Sequence, residues 1–280
     1  MSQMSNTTSR PPLVKKYSTD VFQTFGLTKE QFLTRTRCEI YLAHKNTDTT
    51  QKKIVKFCKR SKACTIRFHT EVAIMKKLKH PNIMVFDEAA TFPDHHAIIM
   101  PYCEIGALYN MIGKVPLNYS EHYFLQTCSA VKYLHDNFIL HRDIKLDNIL
   151  VDKNHKIYLT DFDMSCALRP ECPTVQNMAG TESYMAPEMV KSPTGSYNGY
   201  KLDIYALGVV LFCLIFEKDV TQRLDYLTMV KTYIWTFPLH FYKNVLEHML
   251  EPESDARWDM YSLVSALGQA YWLTDRVKLL

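Results

Sequence analysis

The segment His141-Arg142-Asp143-Ile144-Lys145-Leu146-Asp147-Asn148 puts a carboxylate, an ammonium and an amide within six positions. Phosphoryl transfer to a hydroxyl asks for that set. It needs a carboxylate to orient the hydroxyl and accept its proton, a cation beside the transferred group, and oxygen ligands for a divalent metal. Asp143 has the chemistry of the base, Lys145 of the cation and Asn148 of one metal ligand. Asp161, thirteen positions after Asn148 and behind an apolar run, supplies a carboxylate for the other metal position. It opens the triplet Asp161-Phe162-Asp163, whose second carboxylate adds negative charge beside the first.

Elements must hold these residues in place. Residues 38–45 and 52–59 are short runs of branched and aromatic residues, predicting two strands around a polar turn over 46–51. Residues 68–80 carry Val72, Ile74, Met75 and Leu78 at helical spacing and stop at Pro81. His95 to Pro101 predicts a strand running into a connector. Beyond residue 105 the pattern turns helical, with a helix from Ser120 as N-cap, two short strands across 148–162, and packed helices from Tyr200. A small β-rich part and a larger helical part follow, and ligand sites favour the cleft between two such parts.

Composition narrows the class. The 280 residues are 47% apolar and 22% charged, with a formal net charge of +4. That charge is too small and too dispersed to argue for nucleic acid. The eight cysteines, at 38, 58, 64, 103, 128, 166, 172 and 213, include no Cys-x-x-Cys pair, predicting free thiols in a reducing compartment. The first residues are polar, without the apolar segment of a secretory signal, and predict a disordered arm over 1–19. The apolar run from Tyr205 to Phe216 is twelve residues, short for a membrane span. A protein of the cell interior, cytoplasm or nucleus, is expected, with no nucleic-acid or membrane partner. His95-His96 is expected in a solvated turn, and Trp235, Trp258 and Trp272 in the core.

The ordered motifs resemble the eukaryotic-type protein kinase family, serine/threonine group. His-Arg-Asp with Asn five positions after the Asp is its catalytic-loop pattern. Asp-Phe-Asp stands where Asp-Phe-Gly is expected. Residues 180–188 end in Ala-Pro-Glu, residues 203–208 resemble its Asp-x-Trp-x-x-Gly, and Arg257 stands where a partner of Glu188 would. Upstream, Lys56 resembles the strand lysine that contacts ATP phosphates, Glu71 its helix partner, and Met100-Pro101-Tyr102-Cys103 gatekeeper and hinge. The resemblance covers residues 20–275. It implies an α+β bilobal fold, with an N-lobe over 20–100, hinge over 101–104 and C-lobe over 105–280. It further implies ATP with magnesium or manganese, protein substrates, catalytic Asp143 and Lys145, and metal ligands Asn148 and Asp161. Lys145 and Thr181 resemble the serine/threonine group. Arg142 resembles kinases controlled by phosphorylation, with Thr174, then Ser165 and Ser183, as candidate sites.

The chain also departs from the pattern. Only eight glycines occur, none between 27 and 105, where the family folds a glycine-rich loop over the phosphates. Thr34 and Thr36 take the first two glycine positions, with Arg35 and Arg37 as charge contacts in their place. Ala107 stands where many kinases carry an acid for the ribose. Backbone N–H groups approach phosphates closely only without a Cβ in the way. The alternative function is therefore a pseudokinase, a binding or decoy module with little transfer.

Overall fold

A computed structural model describes residues 14–17, 20–35, 37–218, 220, 222, 224–234 and 240–272. The chain divides into two compact units, Met1–Ala73 with Val85–Tyr102 and Ile74–Met84 with Cys103–Leu280. The two units part between Tyr102 and Cys103. The stretch 74–84, expected with the first unit, belongs to the second. There Asn82, buried, donates to Gln126 Oε1 at 2.7 Å and to the Ile157 carbonyl at 3.1 Å.

The first unit is a six-stranded sheet with a short helix and most of a longer one packed on it. In chain order it contains β1 (Lys15–Lys16), α1 (Val21–Thr24), β2 (Leu27–Arg35), β3 (Glu39–Lys45) and β4 (Asp48–Lys59). Then follow α2 (Lys62–Met75), β5 (Glu88–Thr91) and β6 (His95–Pro101). The sheet order is β1-β5-β6-β4-β3-β2, antiparallel except for the β1–β5 pair. The expected turn over 46–51 is tighter: β4 begins at Asp48, whose Oδ1 accepts from the Thr50 amide and hydroxyl. Helix α2 starts six residues before the periodicity suggested, because the Ser61 hydroxyl accepts from the Cys64 amide and caps it. It ends at Met75, where the Lys77 and Leu78 amides tighten to i−3 carbonyls.

Residues 14–17 correct the expectation of a disordered arm over 1–19. Val14 is buried, Lys15 and Lys16 pair with Ala90 and Thr91, and the Tyr17 ring stacks on Phe92. The rest of that arm, 1–13 and 18–19, lies outside the described residues. Asp20 caps α1 by accepting from the Phe22 and Gln23 amides. The helix then lays Val21 and Phe22 on the sheet face carrying Val55 and Phe57, with Ala43, Ala97 and Ile99 alongside. The Phe22 and Tyr41 rings sit 5.7 and 5.4 Å from Phe57. That face has its own apolar core.

His96 belongs to β6 and not to a solvated turn. Its side chain is 1% exposed, stacked on Phe68, with ring nitrogens 3.0 Å from the Thr91 and Thr65 hydroxyls. Desolvation, helped by the charges of His69, Arg60 and His95, pushes its pKa down to about 4.

The second unit holds β7 (Gly106–Ala107), α3 (Leu117–Asp136), β8 (Ile139–Leu140), β9 (Ile149–Val151) and β10 (Ile157–Leu159). It continues with β11 (Cys166–Ala167), β12 (Thr174–Gln176), α4 (Pro187–Lys191) and β13 (Ser196–Asn198). Helices α5 (Gly199–Phe216), α6 (Tyr226–Thr232), α7 (His240–Met249) and α8 (Met260–Trp272) complete it. Helix α3 begins behind Pro116, so Ser120, expected as its cap, is a buried residue inside it. Helix α5 is longer than the apolar run suggested. Its 18 residues suffice by length and composition to cross a membrane, but 78% of them are buried within the unit, as in a core helix. Trp258 is half-buried against His248. Trp235 and the Trp272 side chain lie outside the described residues.

Arg257 ties this unit together. Fully buried, it forms a fork with Glu188 at 2.8 and 2.9 Å and donates to the carbonyls of Glu251 and Lys201. Removing one partner of such a buried pair leaves an uncompensated charge. Arg257→Ala is expected to lower unfolding free energy by about 3–5 kcal/mol in urea titration. Arg257→Lys should recover little of it, since lysine lacks the fork. A second expectation follows from His96, whose folded pKa lies below its ordinary 6.5. Between those values the unfolded state binds more protons, so stability falls as pH drops from about 6.5 to about 4. His96→Asn should flatten that part of a pH series of urea midpoints.

Candidate active site

Three side chains converge in the segment after β8. Asn148 donates through Nδ2 to the Asp143 carbonyl at 2.9 Å and to Asp143 Oδ2 at 3.1 Å. Lys145 Nζ lies 3.2 Å from Asp143 Oδ2. Thr181 completes the group: its hydroxyl donates to Asp143 Oδ1 at 2.8 Å and accepts from Lys145 Nζ at 2.8 Å. The Asp143 carboxylate thus faces an amide, a cation and an alcohol, and is 4% exposed. It already accepts from a hydroxyl whose oxygen an ammonium stabilises, the contact a base needs when an alcohol gives up its proton. Sequence reasoning used Thr181 only as a mark of subgroup. Its place beside Asp143 was missed, since its 38-residue distance in sequence carries no local pattern.

Backbone geometry delivers Asp143 to this place. Arg142 is left-handed, with φ of 66°. Asp203, fully buried in α5, accepts from the His141 amide at 3.0 Å and the Arg142 amide at 2.9 Å, while His135 Nε2 sits 3.1 Å away. Burial alone would raise the pKa of Asp203. The His135 contact, the nearby His141 and the Arg142 amide outweigh it and hold the carboxyl below its usual range. Gly180, at φ +109°, packs so close that a Cβ would stand 2.5 Å from the Arg142 carbonyl oxygen. A side chain there would push the loop away from its acid.

Asp161 follows at the end of β10. The Thr160 amide donates to the Asn148 carbonyl at 2.9 Å, and the Thr160 carbonyl lies 3.0 Å from His141 Nε2. The strand end carrying Asp161 is therefore bonded to the segment carrying Asn148. Asp161 is left-handed at φ 66°, ψ 67°, and Phe162–Met164 form a 3₁₀ turn behind it. In the family a glycine at position 163 lets the backbone turn freely, and aspartate, which tolerates positive φ, keeps that turn possible. The left-handed residue is Asp161 instead, so position 163 makes no such demand. With Nδ2 of Asn148 engaged, its Oδ1 and the Asp161 carboxylate are hard oxygen donors of the kind magnesium takes.

In the first unit Lys56 Nζ lies 2.8 and 2.9 Å from the two Glu71 oxygens, both residues buried. The pair that sequence matching assigned is formed. Thr34 is exposed on β2 opposite Ile40, and Arg35 reaches Glu39 at 3.5 Å. Thr36 lies outside the described residues. Met100 is buried on β6 opposite Ile54, and Tyr102 follows at the end of the unit. Cys103, in the second unit, is buried, and desolvation with the charges of Asp152 and Glu104 pushes its thiol up to about 12.

Of the candidate modification sites, Ser165 and Ser183 are corrected: both are buried, Ser165 donating to the His141 carbonyl. Thr174 is exposed on β12. Arg142 donates through Nη2 to the Asn177 carbonyl, and its Nε is buried with no partner.

The family profile described as "Protein kinase domain" matches residues 37–267. The chain is 34% identical to the mouse NUAK family SNF1-like kinase 1 over 169 residues, 59% of this chain and 25% of that protein. It is 30% identical to the yeast cell cycle serine/threonine-protein kinase CDC5/MSD2, over 67% of this chain and 27% of the relative. With the CBL-interacting serine/threonine-protein kinase 16 of Arabidopsis thaliana it shares 31%, over 68% of this chain and 44% of the relative. The matched stretch thus spans a quarter to under half of these relatives. With the ordered motifs and the arrangement around Asp143, this match makes the chain a member of the protein kinase family, alongside relatives of the serine/threonine group.

Proposed function

We propose that the chain is a serine/threonine protein kinase, transferring the γ-phosphate of ATP to hydroxyls of protein substrates. The observation that carries this reading is the Asp143 carboxylate set among Asn148, Lys145 and Thr181. In this role Asp143 orients the substrate hydroxyl and takes its proton. Lys145 stabilises charge on the attacking oxygen and the transferred group. Thr181 holds both in register. Asn148 and Asp161 would hold magnesium or manganese, which when bound neutralises phosphate charge. Lys56, held straight by Glu71, contacts the α- and β-phosphates. Met100, Tyr102 and Cys103 receive the adenine, and Thr34, Thr36 and the flanking arginines cover the phosphates. Arg142 and the exposed Thr174 are the pair through which phosphorylation would act.

Radiolabelled transfer from ATP tests this, with magnesium and then manganese. Wild-type protein should label a substrate, and Asp143→Asn should lose about 10²–10⁴-fold in rate while keeping its fold. No transfer by wild type under either metal would establish the pseudokinase instead. The triplet generates its own expectation. Removing the second carboxylate by Asp163→Gly should retain transfer and weaken apparent magnesium affinity by roughly three- to tenfold. A magnesium titration of initial rates reads this, and an unchanged midpoint would show Asp163 to be a bystander.

A further inference from the structure

Cys38 and Cys58, twenty residues apart, form a disulfide. This corrects the expectation of free thiols for these two positions; the other six cysteines form no disulfide. Where the bond sits matters more than that it exists. In the β3–β4 ladder Glu39 pairs with Phe57 and Ile40 with Lys56, so Cys38 stands opposite Cys58 one step before the strand. Side chains alternate across a strand, which puts Cys58 on the same face of β4 as Lys56, one pleat away. Cys38 also closes the turn from β2 to β3, where Thr34 pairs with Ile40 and Arg35 with Glu39. The bond therefore ties the glycine-free turn to the strand that carries Lys56. The two residues differ in exposure: Cys38 is half-buried, Cys58 5% exposed.

We propose that Cys38 and Cys58 are a reversible redox pair that sets the rigidity of the β2–β3 turn, and with it the grip on nucleotide phosphates. The clause on nucleotide rests on the kinase reading; the clause on rigidity does not. Opening follows thiol–disulfide exchange with a dithiol. A thiolate of the dithiol attacks the sulfur of Cys38, the more exposed residue, the Cys38–Cys58 bond breaks, and Cys58 leaves as a thiolate that takes a proton. The second thiol then attacks its own partner sulfur in the mixed disulfide and releases Cys38. The dithiol ends as a cyclic disulfide, oxidised by the two electrons the protein gains. Closure is the reverse, with an oxidised dithiol as acceptor, so a reducing compartment holds the pair open until one is present. A turn built without glycine contains side chains that must be ordered when phosphates bind. Tethering its far end removes part of that cost before binding.

Three measurements on the full chain test the proposal. Alkylation of free thiols followed by non-reducing peptide mapping, after exposure to an oxidised dithiol, should give a linked Cys38–Cys58 peptide that dithiothreitol abolishes; its absence after that oxidation overturns the proposal. Amide hydrogen exchange over residues 34–40 should be slower in the oxidised protein than in the reduced protein. Cys38→Ser, altering the more exposed partner, should exchange like the reduced form under both conditions, and Cys58→Ser checks the buried side. Equal exchange in both redox states overturns the proposal. ATP titration in magnesium should give affinity roughly tenfold tighter for the oxidised form, the scale of ordering one or two long side chains. A changed exchange rate with unchanged ATP affinity refutes the nucleotide clause alone. ATP binding in neither state refutes the kinase reading, with exchange still deciding the rigidity clause.

Discussion

One buried charge, on Asp203, holds the second unit's chemistry in shape. Its two oxygens collect the amides of His141 and Arg142 and the ring of His135 from separate parts of the chain. An unpaired carboxylate that deep would cost several kcal/mol, so the segment before Asp143 has one arrangement that satisfies it. The left-handed turn at Arg142, unfavourable for a side chain of that size, is the backbone's accommodation to that demand. Asp143 then emerges facing Asn148, Lys145 and Thr181. Gly180 closes the arrangement because only a residue without Cβ fits against the Arg142 carbonyl. Asp143 is placed by backbone and buried charge alone.

The first unit solves a different problem. Its sheet must hold the Lys56–Glu71 pair on one face while glycine is scarce along its strands and turns. The opposite face is filled by an aromatic core that the amino-terminal residues help to build, with α1 on Val55 and Phe57 and Tyr17 on Phe92. A strand packed on both faces has little freedom to shift its register. Lys56 therefore sits between Val55 and Phe57, which point into that core, and two buried carboxylate oxygens on its own side. Residues far from any chemistry, such as Phe22, contribute by holding β4 in place.

Much of this was legible in the sequence, and the pattern of failure has physical causes. Lys56 with Glu71 and Arg257 with Glu188 were paired only through the resemblance to the protein kinase family, and both pairs are formed. The strands around residues 38–59 were legible from their branched and aromatic residues. Helix starts were not. Ser61 caps α2 and Pro116 opens α3, both upstream of where apolar periodicity begins, because the first turn of a helix need not face the core. The packed residues 14–17 were missed since a two-residue strand bearing lysines has no apolar pattern of its own. The disulfide was missed because pairing of residues 38 and 58 depends on strand register, which spacing between cysteines does not encode.

The triplet Asp161-Phe162-Asp163 shows how a motif letter can mislead. A reader who expects glycine at the third position infers that the backbone there needs glycine's freedom, and then asks whether aspartate disables the turn. The conformation answers differently. The left-handed strain falls on Asp161, a residue type that tolerates it better than most, and position 163 lies in an ordinary 3₁₀ turn. Aspartate at 163 therefore brings no backbone penalty that a glycine would avoid, and glycine there would add flexibility to the unfolded chain. What remains of the substitution is its charge. A carboxylate two residues from Asp161 would act through electrostatics on any cation or phosphate there, drawing the first and repelling the second when no metal intervenes. The departure from the family pattern is thus a change in the charge beside Asp161, not the loss of a fold element.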